Sequence, residues 1–102
     1  MVEPIDRQTR TGGVNGATDN ELLAAIAYGD NQALGTLYDR HAAVLFTLAL
    51  HLLDGDRQRA EDLVHDIFLD LSRAARRRDA KLDPPMRWLV LRVFELSTAR
   101  RR

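Results

Sequence analysis

A chain of 102 residues with 45% hydrophobic content is one domain with a single modest core, burying about 65% of its unfolded surface. It holds no cysteine, which excludes disulfides and thiolate metal sites. No apolar run approaches the roughly 20 residues of a membrane span, and the opening "MVEPIDRQTR" lacks the apolar stretch of a signal peptide, so a cytoplasmic protein is expected. The net charge of zero conceals a split: residues 1–75 carry 6 basic and 12 acidic side chains, residues 76–102 carry 9 basic and 3 acidic. Such asymmetry suggests a basic partner for the first part and a polyanion for the last. A neutral fold whose poles attract each other is the alternative.

Residues 1–17 have no apolar period, and "TGGVNGAT" reads as a flexible leader. The domain proper is expected over residues 18–102. Thr18 or Asp19 can cap a short first helix, with Glu21 in its first turn and Leu22, Leu23, Ile26 and Ala27 on its apolar face. Gly29 suits the left-handed position past that helix, and Asp30 suits the cap of the next. The second helix is predicted to run to about Leu53 with the stripe Leu34, Leu37, Tyr38, Leu45, Leu48, Ala49 and Leu52. "DGD" at residues 54–56 repeats the stop-and-cap pattern.

The third helix is predicted from about Arg57 to Ala75. Ala60, Leu63, Val64, Ile67, Phe68 and Leu71 recur at steps of three and four and face a core. Glu61, Asp62, His65, Asp66 and Asp70 occupy the remaining arc, with no Lys or Arg between Glu61 and Asp70. Such a face is either simply solvated or a docking surface for a basic partner. "RRRDAKLDPP" is a charged connector, and Pro84 and Pro85 can start the fourth helix. That helix is apolar nearly all round from Trp88 to Leu91, so its start is expected to be buried, and it ends in an arginine cluster. No strand period appears. The fold class is all-α, a compact bundle of three main helices plus a short leading helix.

Nothing in the sequence suggests an enzyme. There is no glycine-rich phosphate loop and no Ser-His-Asp spacing. His41 and His51 stand ten apart on one helix, too far to share a metal. His65 beside Glu61, Asp62 or Asp66 supplies too few ligands in a fixed geometry for a strong site. No cofactor or metal is expected.

Four local patterns follow one another with consistent gaps: "ELLAAIAYGD", A-L-x-x-L-Y-D-R, A-L-x-L-L and A-E-D-L-V-x-D-x-F-L-x-L. Each is an amphipathic helix pattern. In this order, residues 19–75 resemble region 2 of the extracytoplasmic-function sigma factors of the bacterial sigma-70 family, and the resemblance extends over about residues 18–102. It implies that the third helix docks on the arginine-rich coiled coil of the RNA polymerase β′ subunit through Asp62, His65, Asp66 and Leu69. The family commonly has Gln where His65 stands and Glu where Asp66 stands. Carboxylates gain charge-assisted hydrogen bonds to guanidinium groups on docking.

The resemblance further implies that the fourth helix and its connector capture the non-template strand of the promoter −10 element. Lys81, Arg87, Trp88, Arg92, Arg100, Arg101 and Arg102 are the candidate DNA-binding residues. The family pattern is W-L, then A-x-N, D and R. Anchored on Trp88 and Leu89, this chain has Val93 for the Ala, Glu95 for the Asn and Ala99 for the Asp, and keeps only Arg102. The aromatic often found ahead of the Trp is replaced by Met86 and Arg87. Glu95 can only accept hydrogen bonds and repels phosphate. Family members normally continue into a second helical domain that reads the −35 element, which these residues do not contain. Two functions follow from the resemblance: an initiation domain that recruits RNA polymerase to promoter DNA, and a sigma mimic that occupies an anti-sigma factor and ignores DNA. An anti-sigma factor is an expected partner in either case.

Overall fold

The computed structural model describes residues 16–100, except for the side chain of Arg100. The leader expected over residues 1–17 therefore lies almost entirely outside the described residues, as do Arg101 and Arg102. Among the described residues, four complete helices and one short 3-10 turn follow in chain order: α1 (Asp19–Ala27), α2 (Asn31–Leu52), α3 (Arg57–Arg76), the turn Ala80–Leu82, and α4 (Pro85–Arg100). The predicted boundaries of the helices agree with these to within a residue or so.

The helix starts are set by side chains that satisfy otherwise orphaned amides. Thr18 accepts from the Glu21 N–H at 3.1 Å, while the Glu21 carboxylate accepts from the Thr18 N–H at 2.8 Å. This reciprocal pair is a capping box. It leaves Asp19 free to reach α2, where its carboxylate lies 3.1 Å from Arg40 Nη1 and 2.7 Å from His41 Nε2. Gly29 has a φ of +92° in the turn between α1 and α2, a conformation that costs a residue with a Cβ. Asp30 then caps α2, accepting from the amides of Gln32 and Ala33 at 3.0 and 3.1 Å. Asp54 and Gly55 are both left-handed, with φ of 59° and 82°, and Asp56 caps α3 through the Arg59 N–H at 3.1 Å. Asp30→Ala is expected to lower stability by about 1 kcal/mol and the melting temperature by about 4–8 °C, read by circular dichroism on heating.

The six positions predicted to face the core on α3 are all buried, and Ala74 and Ala75 extend the stripe. Leu22 and Ile26 of α1, Ala33, Leu37, Leu45 and Ala49 of α2, Leu82 of the 3-10 turn, and Leu89 and Val93 of α4 close around it. The other members of the predicted α2 stripe, Leu34, Tyr38, Leu48 and Leu52, are half-buried at its margins. α3 is thus the central helix, with all other elements packed against it or against α2.

The start of α4 is not buried all round. Its core side is the narrow row Pro85, Leu89, Val93 and Ser97, at steps of four, whereas Leu91 is 53% exposed and Phe94 45%. One helix packed against a bundle presents only one stripe to it. The continuous apolar run from Trp88 to Leu91 therefore wraps from the core to the surface.

Candidate functional site

Because the apolar stripe of α3 turns inward, the opposite arc is displayed outward. Asp62, His65, Asp66 and Leu69 are all exposed, Leu69 to 51%. Gln58, Glu61, Asp62, His65 and Asp66 line a shallow concavity of about 560 Å³. The Gln58 side-chain amide donates to Asp62 Oδ1 at 3.1 Å, which steadies that carboxylate without neutralising it. The His65 ring stands edge-on to Tyr38 of α2 at 5.5 Å between centroids, and Tyr38 in turn tilts against Phe68 at 4.9 Å. Half-buried Tyr38 thus supports the imidazole from below and fixes its place among the carboxylates.

Asp70 departs from the expected continuous row. It belongs to the same arc by spacing, but its Oδ2 is 2.7 Å from Arg92 Nη2 on α4 and its Oδ1 3.2 Å from Arg73 Nη1. The acidic face therefore divides. Glu61, Asp62, His65 and Asp66 point outward, and Asp70 turns to a second feature formed with α4.

That second feature is a cleft of about 710 Å³ between the end of α3, the connector and α4. Lys81, Arg87, Trp88 and Arg92, all singled out from the sequence, line it together with Arg73 of α3 and Arg77 just past its end. Lys81 is carried to its rim by the 3-10 turn, which Asp79 caps by accepting from the Lys81 N–H at 2.9 Å. Arg87, Leu91 and Trp88 come from the outward side of α4. Arg73 was not anticipated, because nothing in the sequence says that the last turn of α3 runs alongside α4. Arg78, at a φ of 55°, turns away and lies 5.0 Å over the Tyr28 ring instead. The candidates Arg101 and Arg102 lie outside the described residues, and so does the Arg100 side chain.

Arg92 is not a loose surface cation. Besides Asp70 it donates to Glu95 Oε1 at 3.1 Å, and its guanidinium lies 5.5 Å over the Trp88 ring. The hydrogen bond to Asp70 raises its pKa further above the ordinary arginine value, against the opposing effect of burial. A raised pKa stabilises the fold at every pH below the ordinary arginine value, and the contribution is lost only as pH rises beyond the raised one. The bridge is therefore intact across the physiological range on the arginine side. Asp70→Ala removes the partner of both Arg92 and Arg73 and leaves a half-buried guanidinium less well paired. We expect it to cost about 1–2 kcal/mol in chemical denaturation, after allowance for solvent screening.

Residues 37–94 match the family model for sigma-70 region 2. The match spans more than half of the chain, which therefore belongs to the sigma-70 region 2 family. Domains of this family bind RNA polymerase and take part in promoter melting during transcription initiation, and they catalyse nothing themselves. The matched stretch takes in all of α3, most of α2 and α4 as far as Phe94, so Glu95 falls just beyond it. No curated protein and no solved structure matches the chain. Among the described residues no helix is long and apolar enough to cross a membrane, and no group of three or more acidic or histidine side chains is arranged to hold a metal ion.

Proposed function

We propose that this chain is the region 2 domain of an extracytoplasmic-function sigma factor that docks α3 on the β′ coiled coil of RNA polymerase and holds the −10 non-template strand in the α4 cleft. The observation that carries the docking half is the outward display of Asp62, His65 and Asp66 in one concavity beside exposed Leu69. Such a surface suits an arginine-rich helix: carboxylates accept from guanidinium forks while an apolar side chain covers their stems. The experiment is calorimetric titration of the chain with a β′ coiled-coil fragment. Saturable binding that weakens with added salt is expected, and no binding overturns the docking.

The DNA half rests on the cations gathered in the cleft. Lys81, Arg77 and Arg87 line it without an ion pair to any described carboxylate, which leaves them available to phosphate. Removing one phosphate contact from a single strand lowers the slope of log affinity against log salt by about 0.7. Arg87→Ala is expected to flatten the salt dependence of binding to a single-stranded −10 oligonucleotide by about that much, measured by fluorescence anisotropy.

One observation favours the sigma-mimic reading. Arg92, whose guanidinium lies over the Trp88 ring, is occupied by Asp70 and Glu95, so the cleft is less cationic than its arginine count implies. A mimic would bind an anti-sigma factor through α3 and be indifferent to single-stranded −10 DNA at moderate salt. An initiation domain would retain a sequence preference there.

A further inference from the structure

The cleft combines features that a purely phosphate-binding groove does not need. Three acidic side chains line it besides Asp70: Asp79, Asp83 and Glu95. Asp79 is engaged as a cap, and Asp83 lies on the exposed connector. Glu95 is different, because it follows Trp88 by seven residues and Arg92 by three and so shares their face of α4. Arg92 fixes its Oε1 at 3.1 Å, while Oε2 has no partner among the described residues. The carboxylate is thus held in place, with 62% of the side chain open to solvent and most of its lone pairs unused. In a groove for a polyanion, a fixed carboxylate is unfavourable unless it meets a donor.

We propose that Glu95 makes this cleft selective for guanine, a reading that rests on the DNA function above and specifies which base the cleft takes. An ionised carboxylate is acceptor-only. On the Watson–Crick edge of an unpaired base, guanine alone offers two adjacent donors, N1–H and the N2 amine, which match the two oxygens of a carboxylate. Adenine and cytosine each place a ring acceptor beside their amine, facing the second oxygen and repelling it. Thymine offers one N–H between two carbonyls. Trp88 and Glu95 stand two helical turns apart, about 10 Å along the axis, a gap that a purine and the two side chains together bridge. Arg92 lies over the Trp88 ring and presents a guanidinium plane on which a base can stack. Lys81 and Arg87 at the rim take the flanking phosphates. Arg92 is then a positioning residue, which orients Glu95 by one oxygen.

The test uses the 102-residue chain and thymidine oligonucleotides with one central guanine, inosine, adenine or cytosine, read by fluorescence anisotropy. A bidentate pair discriminates by about 1–3 kcal/mol, so the guanine strand is expected to bind roughly tenfold tighter than the adenine or cytosine strand. Inosine, which lacks the N2 amine, should fall between. Glu95→Gln replaces one acceptor by a donor and should collapse the guanine-to-adenine ratio towards one. Equal affinity for the guanine and adenine strands, or a guanine preference undiminished in Glu95→Gln, overturns the proposal while leaving the DNA-binding function standing. Failure to bind any of the strands overturns both. Competition with free guanosine monophosphate identifies the source. Displacement at concentrations near the strand's own dissociation constant assigns the site to a free nucleotide, and displacement only far above it assigns the site to a base within DNA. Either result supports the guanine site.

Discussion

Exchange of both Asp62 and Asp66 for arginine is expected to weaken binding to a β′ coiled-coil fragment by at least about a hundredfold. The two carboxylates lie one turn apart on the outer arc of α3 and line the same concavity as His65. A charge-assisted hydrogen bond contributes about 1.5–3 kcal/mol, and like charges brought together across an interface cost several kcal/mol more. Reversal therefore removes an attraction and adds a repulsion at two positions. The fold should tolerate it. Both side chains are exposed, so the change removes only exposed contacts such as the Gln58 hydrogen bond to Asp62 and exchanges one like-charged pair for another, at a cost of about 0.5 kcal/mol. The control is an unchanged far-ultraviolet spectrum with a melting temperature close to that of the wild type. Wild-type binding should fall as salt is raised from low to physiological strength. Retention of wild-type affinity in the double variant would show that the polymerase, if bound, is bound elsewhere.

Ile67→Ala and Leu69→Ala, two positions apart on one helix, should have opposite consequences. Ile67 is fully buried in the core of the bundle, whereas Leu69 is 51% exposed beside the acidic concavity. Truncating a buried Ile costs about 2–5 kcal/mol through lost transfer energy and the cavity left behind. Taking about 3 kcal/mol, and about 4–8 °C per kcal/mol for a domain of this size, the melting temperature should drop by about 12–24 °C. Total stability of small domains is only about 5–15 kcal/mol, so this single change removes much of it. Leu69→Ala should alter stability by no more than about 0.5 kcal/mol yet weaken the coiled-coil complex. A Leu69→Ala protein that melts as early as Ile67→Ala would show Leu69 to be structural and remove it from the docking surface.

Helix starts, stops and the buried stripe of α3 were legible without coordinates because they are local. A capping Asp or Thr lies within three residues of the amide it satisfies, and a helix's apolar period is a property of its own segment. The outward acidic arc from Glu61 to Asp66 was legible for the same reason, as the complement of that stripe. Asp70 was misplaced with it. From spacing alone it is one more carboxylate in the row, and only the arrival of Arg92 from 22 residues away shows that it faces α4. The exposed Leu91 and Phe94 were likewise hidden. An apolar run does not say which side of its helix the bundle will cover.

What the amino-acid order determined by itself, then, is the set of helices, their caps, the side of α3 that must be buried and the membership suggested by the four patterns in register. Short-range hydrogen bonding and the helical period are enough for each of these. What only the tertiary structure decided is the cleft: the packing of α4 beside the last turn of α3, the diversion of Asp70 and Arg92 into one bridge, and the placing of Glu95 with Trp88 and the free cations around a shared space. Those relations depend on side chains distant in sequence meeting across an interhelical contact, and no local period encodes such a meeting.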